Sequence, residues 1–179
     1  MNLKKYFGFL VSQTFNSKQL ATIREKSVFS VNLDALKKER IRLLIFDVDD
    51  TLTGDGETIH NDSKKFLLKL KNKFKIAVVT NRTYVSPEIE DFCKKNKLIY
   101  LMGANKPDHK KISELIKKAG MKPENSALIG DRATDMWAAY NARIRERIII
   151  EPYSLVFKTR TSKKINAIRK FEKFFLGKA

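Results

Sequence analysis

The sequence predicts a three-layer α/β fold, a Rossmann-like parallel sheet with helices on both faces. From about Arg40 to Glu151, short apolar runs rich in β-formers alternate with amphipathic helical patterns, which is what parallel strands joined by helical crossovers look like in one dimension. The polar residues able to do chemistry fall just after the apolar runs. In a doubly wound sheet those positions converge beyond the carboxyl ends of the strands.

The elements follow in order. "IRLLIF" (41–46) reads as a buried strand, and "DSKKFLLKLKN" (62–72) as a helix capped by Asn61 or Asp62, with Phe66, Leu67 and Leu70 inward. "KIAVVT" (75–80) is a second strand. "SPEIEDFCKKN" starts with Ser86 as cap, Pro87 at the first helical position and acidic residues in the first turn, a good helix start. "LIYL" (98–101) is a third strand. "DHKKISELIKKAG" repeats apolar residues at Ile112, Leu115, Ile116 and Ala119 and stops at Gly120, where a C-terminal glycine belongs. "SALIG" (126–130), a helix near 134–142 and "RIIIE" (147–151) complete the alternation.

At 179 residues the chain suits one domain. Three parts are expected: a basic segment 1–40 able to touch a membrane surface, a core at 41–157, and a basic tail at 158–179. The lone cysteine, Cys93, cannot form an internal disulfide and is assigned no chemistry. The net charge of +17 implies attraction to something anionic: nucleic acid, an acidic membrane or a phosphorylated substrate. No stretch approaches the roughly 18 apolar residues of a spanning helix. His60 and His109 read as surface residues.

Asp47, Asp49 and Thr51 follow the first predicted strand, and Thr80 and Asn81 end the second. Lys106 lies in the loop after the third, and Gly130, Asp131 and Asp135 follow the fourth. One such residue would mean little, because Asp and Asn cap turns everywhere. Four matched strand ends point to a site. Carboxylates at Asp47, Asp49, Asp131 and Asp135 need a cation to offset their repulsion, and hard oxygen donors without thiol or imidazole favour Mg²⁺. A lysine and a threonine facing the same point add donors for an anion.

This set resembles the haloacid dehalogenase (HAD) superfamily of phosphotransferases, matching its four motifs in order over about residues 41–151. The resemblance implies Asp47 as the nucleophile that forms an aspartyl-phosphate and Asp49 as the general acid and base. It implies Thr80, Asn81 and Lys106 as binders of the substrate phosphate, with Lys106 also orienting Asp47. Mg²⁺ would be held by Asp47, the Asp49 backbone carbonyl, Asp131 and Asp135, and Thr51 would position Asp49 by a hydrogen bond. Only 28 residues separate Thr51 from Thr80, and Tyr84 to Asn105 is also short. No cap domain is expected, which leaves an open site suited to a substrate whose bulk stays outside.

Within the superfamily, "NKP" at 105–107 and "GDRATDM" at 130–136 look most like the capless phosphatidylglycerophosphate phosphatases. The chain departs from that family at Asp50, usually Asn, and at Thr80 and Asn81, often Ser-Asn. "DVDDTLTGDG" also looks like the first motif of deoxy-octulosonate-phosphate phosphatases, whose fourth motif lacks the Thr134-Asp135 pair. The tail "KKINAIRKFEKFFLGK" has the helical profile of an element lying in an anionic interface, and "KKYFGFL" is a second candidate anchor. The expected partners are a phosphorylated lipid headgroup and an anionic membrane. Nucleic acid is disfavoured because the aromatics sit at helical spacings that suggest packing. The expected location is cytoplasmic and peripheral on the inner membrane surface, or matrix-side in a mitochondrion if the start is a transit sequence. The alternatives are a phosphatase for nucleic-acid ends or soluble sugar phosphates, and a non-catalytic basic binding protein.

Overall fold

The computed structural model describes residues 20–54, 57–84 and 86–156. The basic tail and the "KKYFGFL" segment lie outside the described residues. In chain order the elements are β1 (Ile23–Glu25), α1 (Leu33–Lys38), β2 (Leu43–Asp47), α2 (Asn61–Lys71), β3 (Lys75–Val79), α3 (Pro87–Lys95), β4 (Ile99–Leu101), α4 (Lys110–Lys118), β5 (Ser126–Gly130), α5 (Ala133–Asn141), β6 (Glu146–Ile150) and α6 (Tyr153–Val156). Among the described residues no domain is inserted between them, as the short spacings require.

The six strands form one sheet in the order β1-β6-β5-β2-β3-β4, and every pairing is parallel. β2 lies centrally, with Leu43 opposite Lys75 on one side and Ser126 on the other. Its residues are all buried, and the two-residue period sends Leu43 and Ile45 to one core and Leu44 and Phe46 to the other. The first core receives Ile112, Leu115 and Ile116 of α4 with Met136 and Trp137 of α5. The second receives Leu36 of α1, Leu67 and Leu70 of α2, and Ile89 and Cys93 of α3. Each such side chain contributes about 1.5–3 kcal/mol on burial. The three-layer reading therefore holds. Burial also pushes the Cys93 thiol up to about 12, in keeping with a cysteine that serves packing alone.

Residues 20–40 depart from expectation. They do not stand apart from the core: β1 pairs with β6 from Ile23↔Ile148 to Glu25↔Ile150, and Leu20, Val28 and Leu36 are buried. A three-residue strand reading Ile-Arg-Glu is too short to show a period, so its pairing comes from the β6 edge and not from its own pattern.

Gly120 follows the α4 cap with φ +66°, the expected use of glycine. After the caps of α1, α3 and α5, however, the same left-handed conformation is taken by Arg40 (φ 59°), Lys97 (φ 54°) and Arg143 (φ 58°). A side chain there costs roughly 1–2 kcal/mol.

Candidate active site

Asp47 ends β2 and Gly130 ends β5, so their adjacency brings Asp47 beside Asp131 and the start of α5. Asp135 sits in the first turn of α5, where its Oδ2 accepts the Arg132 N–H at 3.1 Å. This caps the helix and fixes the carboxylate. Gly130 is required for the packing: a Cβ at that position would lie 2.5 Å from Asp135 Oδ2 and 2.8 Å from its Cβ.

Lys106 enters from the loop after β4. Its backbone is held at both ends by the Asn81 side chain, whose Oδ1 accepts the Lys106 N–H at 2.7 Å and whose Nδ2 donates to the Lys106 carbonyl at 2.8 Å. The ammonium, in a residue only 5% exposed, contacts Asp47 Oδ1 and lies 2.5 Å from Asp135 Oδ1. The resemblance places Asn81 on the substrate phosphate. Its amide is instead committed to Lys106, making it the residue that positions the lysine.

Burial pushes the Asp47 carboxyl well above its ordinary range; Lys106 opposes the shift, while Asp135, Asp131 and Asp49 add to it. Burial alone would lower Lys106, but Asp135 and Asp47 more than offset that and hold it firmly protonated. The lysine is thus a fixed positive charge against the nucleophile candidate.

Asp49 points elsewhere. Its Oδ1 lies 2.7 Å from Arg82 Nη2, and its Oδ2 accepts the Thr80 hydroxyl at 3.2 Å. Arg82 also pairs with Glu57 at 3.0 Å and donates its backbone N–H to Thr80 Oγ1 at 3.1 Å. Burial raises the Asp49 carboxyl, against the opposing effects of Arg82 and of the Thr80 hydrogen bond. The Thr51 hydroxyl is buried without a hydrogen-bond partner among the described residues. The hydroxyl that orients Asp49 belongs to Thr80, not Thr51.

Asp50 is no part of the charge cluster. It adopts φ 57°, accepts the Ser154 N–H on Oδ1 at 3.0 Å, and accepts the Tyr153 N–H on its carbonyl at 2.6 Å. The third aspartate therefore caps the start of α6. His60, expected on the surface, is half-buried: it stacks on Tyr153 at 4.4 Å and accepts the Gly54 N–H at 3.3 Å. Arg82, Asn81 and His60 had roles that only tertiary contact reveals.

Asp47, Asp131 and Asp135 are buried and each presents a carboxylate oxygen within 4.8 Å of the others, a group that can hold a metal ion. Three hard oxygen donors suit a Mg²⁺-like cation. Asp49 contributes no carboxylate to this group. The site thus combines a buried carboxylate at a strand end, a fixed cation, a metal-competent acidic set and a second carboxylate with raised proton affinity.

A sequence comparison with curated proteins finds no match. In structure, the chain is similar to the cobalt-bound deoxy-D-mannose-octulosonate 8-phosphate phosphatase of Haemophilus influenzae, at 19% identity and TM-score 0.51, over 79% of this chain and 92% of that one. It is likewise similar to the 3-deoxy-D-manno-octulosonate 8-phosphate phosphatase of Yersinia pestis, at 21% identity and TM-score 0.51, over 82% and 86%. At such identities the likeness shows the fold. The family model for haloacid dehalogenase-like hydrolases matches residues 55–149, more than half of the 179-residue chain, and takes in Thr80, Lys106, Asp131 and Asp135, with Asp47 and Asp49 just ahead of it. On that match and this fold, the chain belongs to the haloacid dehalogenase-like hydrolases.

Proposed function

We propose that the chain is a Mg²⁺-dependent phosphomonoesterase working through an aspartyl-phosphate on Asp47. The observation that carries this reading is the buried Asp47–Lys106–Asp135 cluster with Asp131 beside it. A carboxylate nucleophile beside a fixed ammonium and a metal-competent acidic group is an arrangement for neutralising a transferring phosphoryl group.

Asp47 attacks phosphorus, and the bond to the ester oxygen breaks as Asp49 gives that oxygen its proton. Asp49, now a carboxylate, takes a proton from the water that attacks the Asp47-bound phosphorus, and inorganic phosphate leaves. Lys106 meets the phosphoryl oxygens while holding Asp47 in place. Thr80 keeps Asp49 aimed, and Asp135 keeps Lys106 aimed through the Gly130 gap. Mg²⁺, when held by Asp47, Asp131, Asp135 and the Asp49 carbonyl, supplies further positive charge against the phosphate; a cobalt-bound structural relative supports a divalent cation here.

For the substrate, the fourth-motif run Gly130-Asp131-Arg132-Ala133-Thr134-Asp135 and the lack of an inserted domain among the described residues support phosphatidylglycerophosphate, dephosphorylated to phosphatidylglycerol on an anionic inner-membrane surface. A soluble sugar phosphate is the second reading. It is favoured by the Arg82–Glu57 pair at the rim, suited to polar recognition, and by the sugar-phosphate phosphatases among the structural relatives. Phosphate release from detergent-dispersed phosphatidylglycerophosphate, with and without Mg²⁺ and with Asp47→Asn, decides between them. Release that needs both Mg²⁺ and Asp47 is expected. Silence on the lipid with turnover of sugar phosphates would transfer the assignment, and silence on aryl phosphates too would end the phosphatase reading.

A further inference from the structure

Among the described residues, exposed cations also gather away from the candidate active site. All strands being parallel, the catalytic carboxylates stand at one end of the sheet, and the loops entering the strands stand at the other. Five adjacent strands, β6-β5-β2-β3-β4, are each entered through a loop that carries an exposed cation: Arg143, Lys122, Arg40, Lys73 and Lys97. Among the described residues none of these five makes an ion pair. Four interstrand steps of ~4.8 Å make a stripe about 19 Å long.

Three of the five, Arg40, Lys97 and Arg143, occupy the left-handed positions where glycine would cost nothing. Helix-dipole compensation does not account for them all. α1 already ends in Lys37 and Lys38, and α3 in Lys94 and Lys95, and such lysines complement the dipole from ordinary helical backbone. Strained backbone that persists at several corresponding places is a mark of function.

Two open clefts indent this end. One, of about 410 Å³, is lined by residues including Arg40 and Lys122; the other, of about 460 Å³, includes Arg143 and Tyr140. Tyr140 is 41% exposed, with the Arg147 guanidinium 5.6 Å from its ring centroid. We infer that the strand-entry end of the sheet binds a single-stranded nucleic acid, its phosphates along the Arg143–Lys97 stripe and a base against Tyr140. The chemistry fits: a row of cations tracks a backbone and an aromatic ring beside it takes a base of any identity.

An anionic bilayer shares the charge but fits less well. Tyr140 and Leu68, in the last turn of α2, are the large apolar side chains exposed towards this end among the described residues, fewer than an interfacial element inserts. A membrane held here would also face away from the catalytic end. The inference stands on this end alone and does not rest on the phosphatase reading.

The test is fluorescence anisotropy of a labelled oligothymidylate of about 20 nucleotides with the full chain, titrated with salt from roughly 50 to 200 mM. Arg40→Gly/Lys97→Gly/Arg143→Gly removes three charges and relieves three left-handed side chains. It should melt no lower than wild type, yet bind at least about tenfold more weakly and with a log–log salt slope shallower by about 2. Lys73→Glu/Lys122→Glu, away from left-handed positions, should weaken binding independently of any backbone effect. Tyr140→Ala should weaken it with the salt slope unchanged. Unaltered affinity and slope in both charge variants would overturn the proposal. So would binding abolished only by neutralising Lys163, Lys164, Arg169 and Lys170, or charge variants that lose phosphatidylglycerol vesicles and keep the oligonucleotide.

Discussion

Asp47 and Asp49 stand two residues apart on one strand end and finish in different surroundings. Asp47 is enclosed, 5% exposed, with Lys106 and two further carboxylates around it. Asp49 meets Arg82 and Thr80 in a setting where its side chain and that of Arg82 are each 36% exposed. Both carboxyls are raised by burial, but the fixed lysine sits on the first and a partly solvated guanidinium on the second. A nucleophile benefits from a site dry enough to strengthen its electrostatics, whereas a proton shuttle must reach both the leaving oxygen and water. On the proposed mechanism, access to solvent is what divides one residue type into two functions.

The largest effect should come from removing the cation that makes the inner group tolerable. Lys106→Met leaves the carboxylates buried without their lysine and should cost about 3–5 kcal/mol, together with nearly all activity. Adding Asp47→Asn should return part of the stability, because the two side chains act on each other. The pH response of the metal-free wild type follows from the same group. Asp47 titrates above its ordinary 3.8 in the fold, so the folded form holds more protons than the unfolded one between that value and its raised one. Stability should therefore rise as pH falls from neutral through that window, as read from thermal melts in chelator. Mg²⁺ should diminish this gain by favouring the ionised group.

Asp47→Asn and Asp49→Asn test the division directly. The first should lower turnover by on the order of 10⁴-fold or more on any substrate, since no bond to phosphorus can form. The second should cost about 10²–10⁴-fold, and unevenly: an aryl phosphate whose leaving group needs no proton should still give a burst of one phenolate per enzyme before stalling. A burst absent in Asp49→Asn but present in Asp47→Asn would reverse the assignment.

Gly130→Ala should have an intermediate effect. The new Cβ collides with Asp135, which cannot shift without losing Arg132 or Lys106. A loss of about 1–3 kcal/mol is expected, with turnover falling more than the change in melting temperature would suggest.

Much of this was legible in one dimension because the strand-end residues are local signals repeated four times. The layers, the helix start at Pro87 and the stop at Gly120 follow from apolar periodicity and the backbone preferences of proline and glycine, whereas Asn61, expected as a cap, is the first residue of α2 and His60 takes the cap position. What was not legible depends on partners far along the chain. Asn81 reaches the backbone of Lys106, Thr80 reaches Asp49 across 31 positions, and β1 is a strand only because the edge of β6 was available. Thr51 is the instructive failure. Proximity in sequence to Asp49 suggested a hydrogen bond, but the turn after β2 carries the hydroxyl away and the neighbouring strand supplies the substitute.

Asp50 completes the contrast and predicts the smallest effect. Three carboxylates in four positions look like one electrostatic problem, yet the chain turns left-handed at the third and sends it to Ser154. What that position needs is tolerance of positive φ and an oxygen that accepts an N–H, and asparagine meets both needs as well as aspartate. Asp50→Asn should therefore change stability by less than about 0.5 kcal/mol and leave turnover intact. Asp50→Ala forfeits the cap and should cost about 1 kcal/mol or more. A large loss of turnover in Asp50→Asn with an unchanged melting temperature would show that the third charge acts on the phosphate after all, and that the line between the inner and outer carboxylates has been drawn in the wrong place.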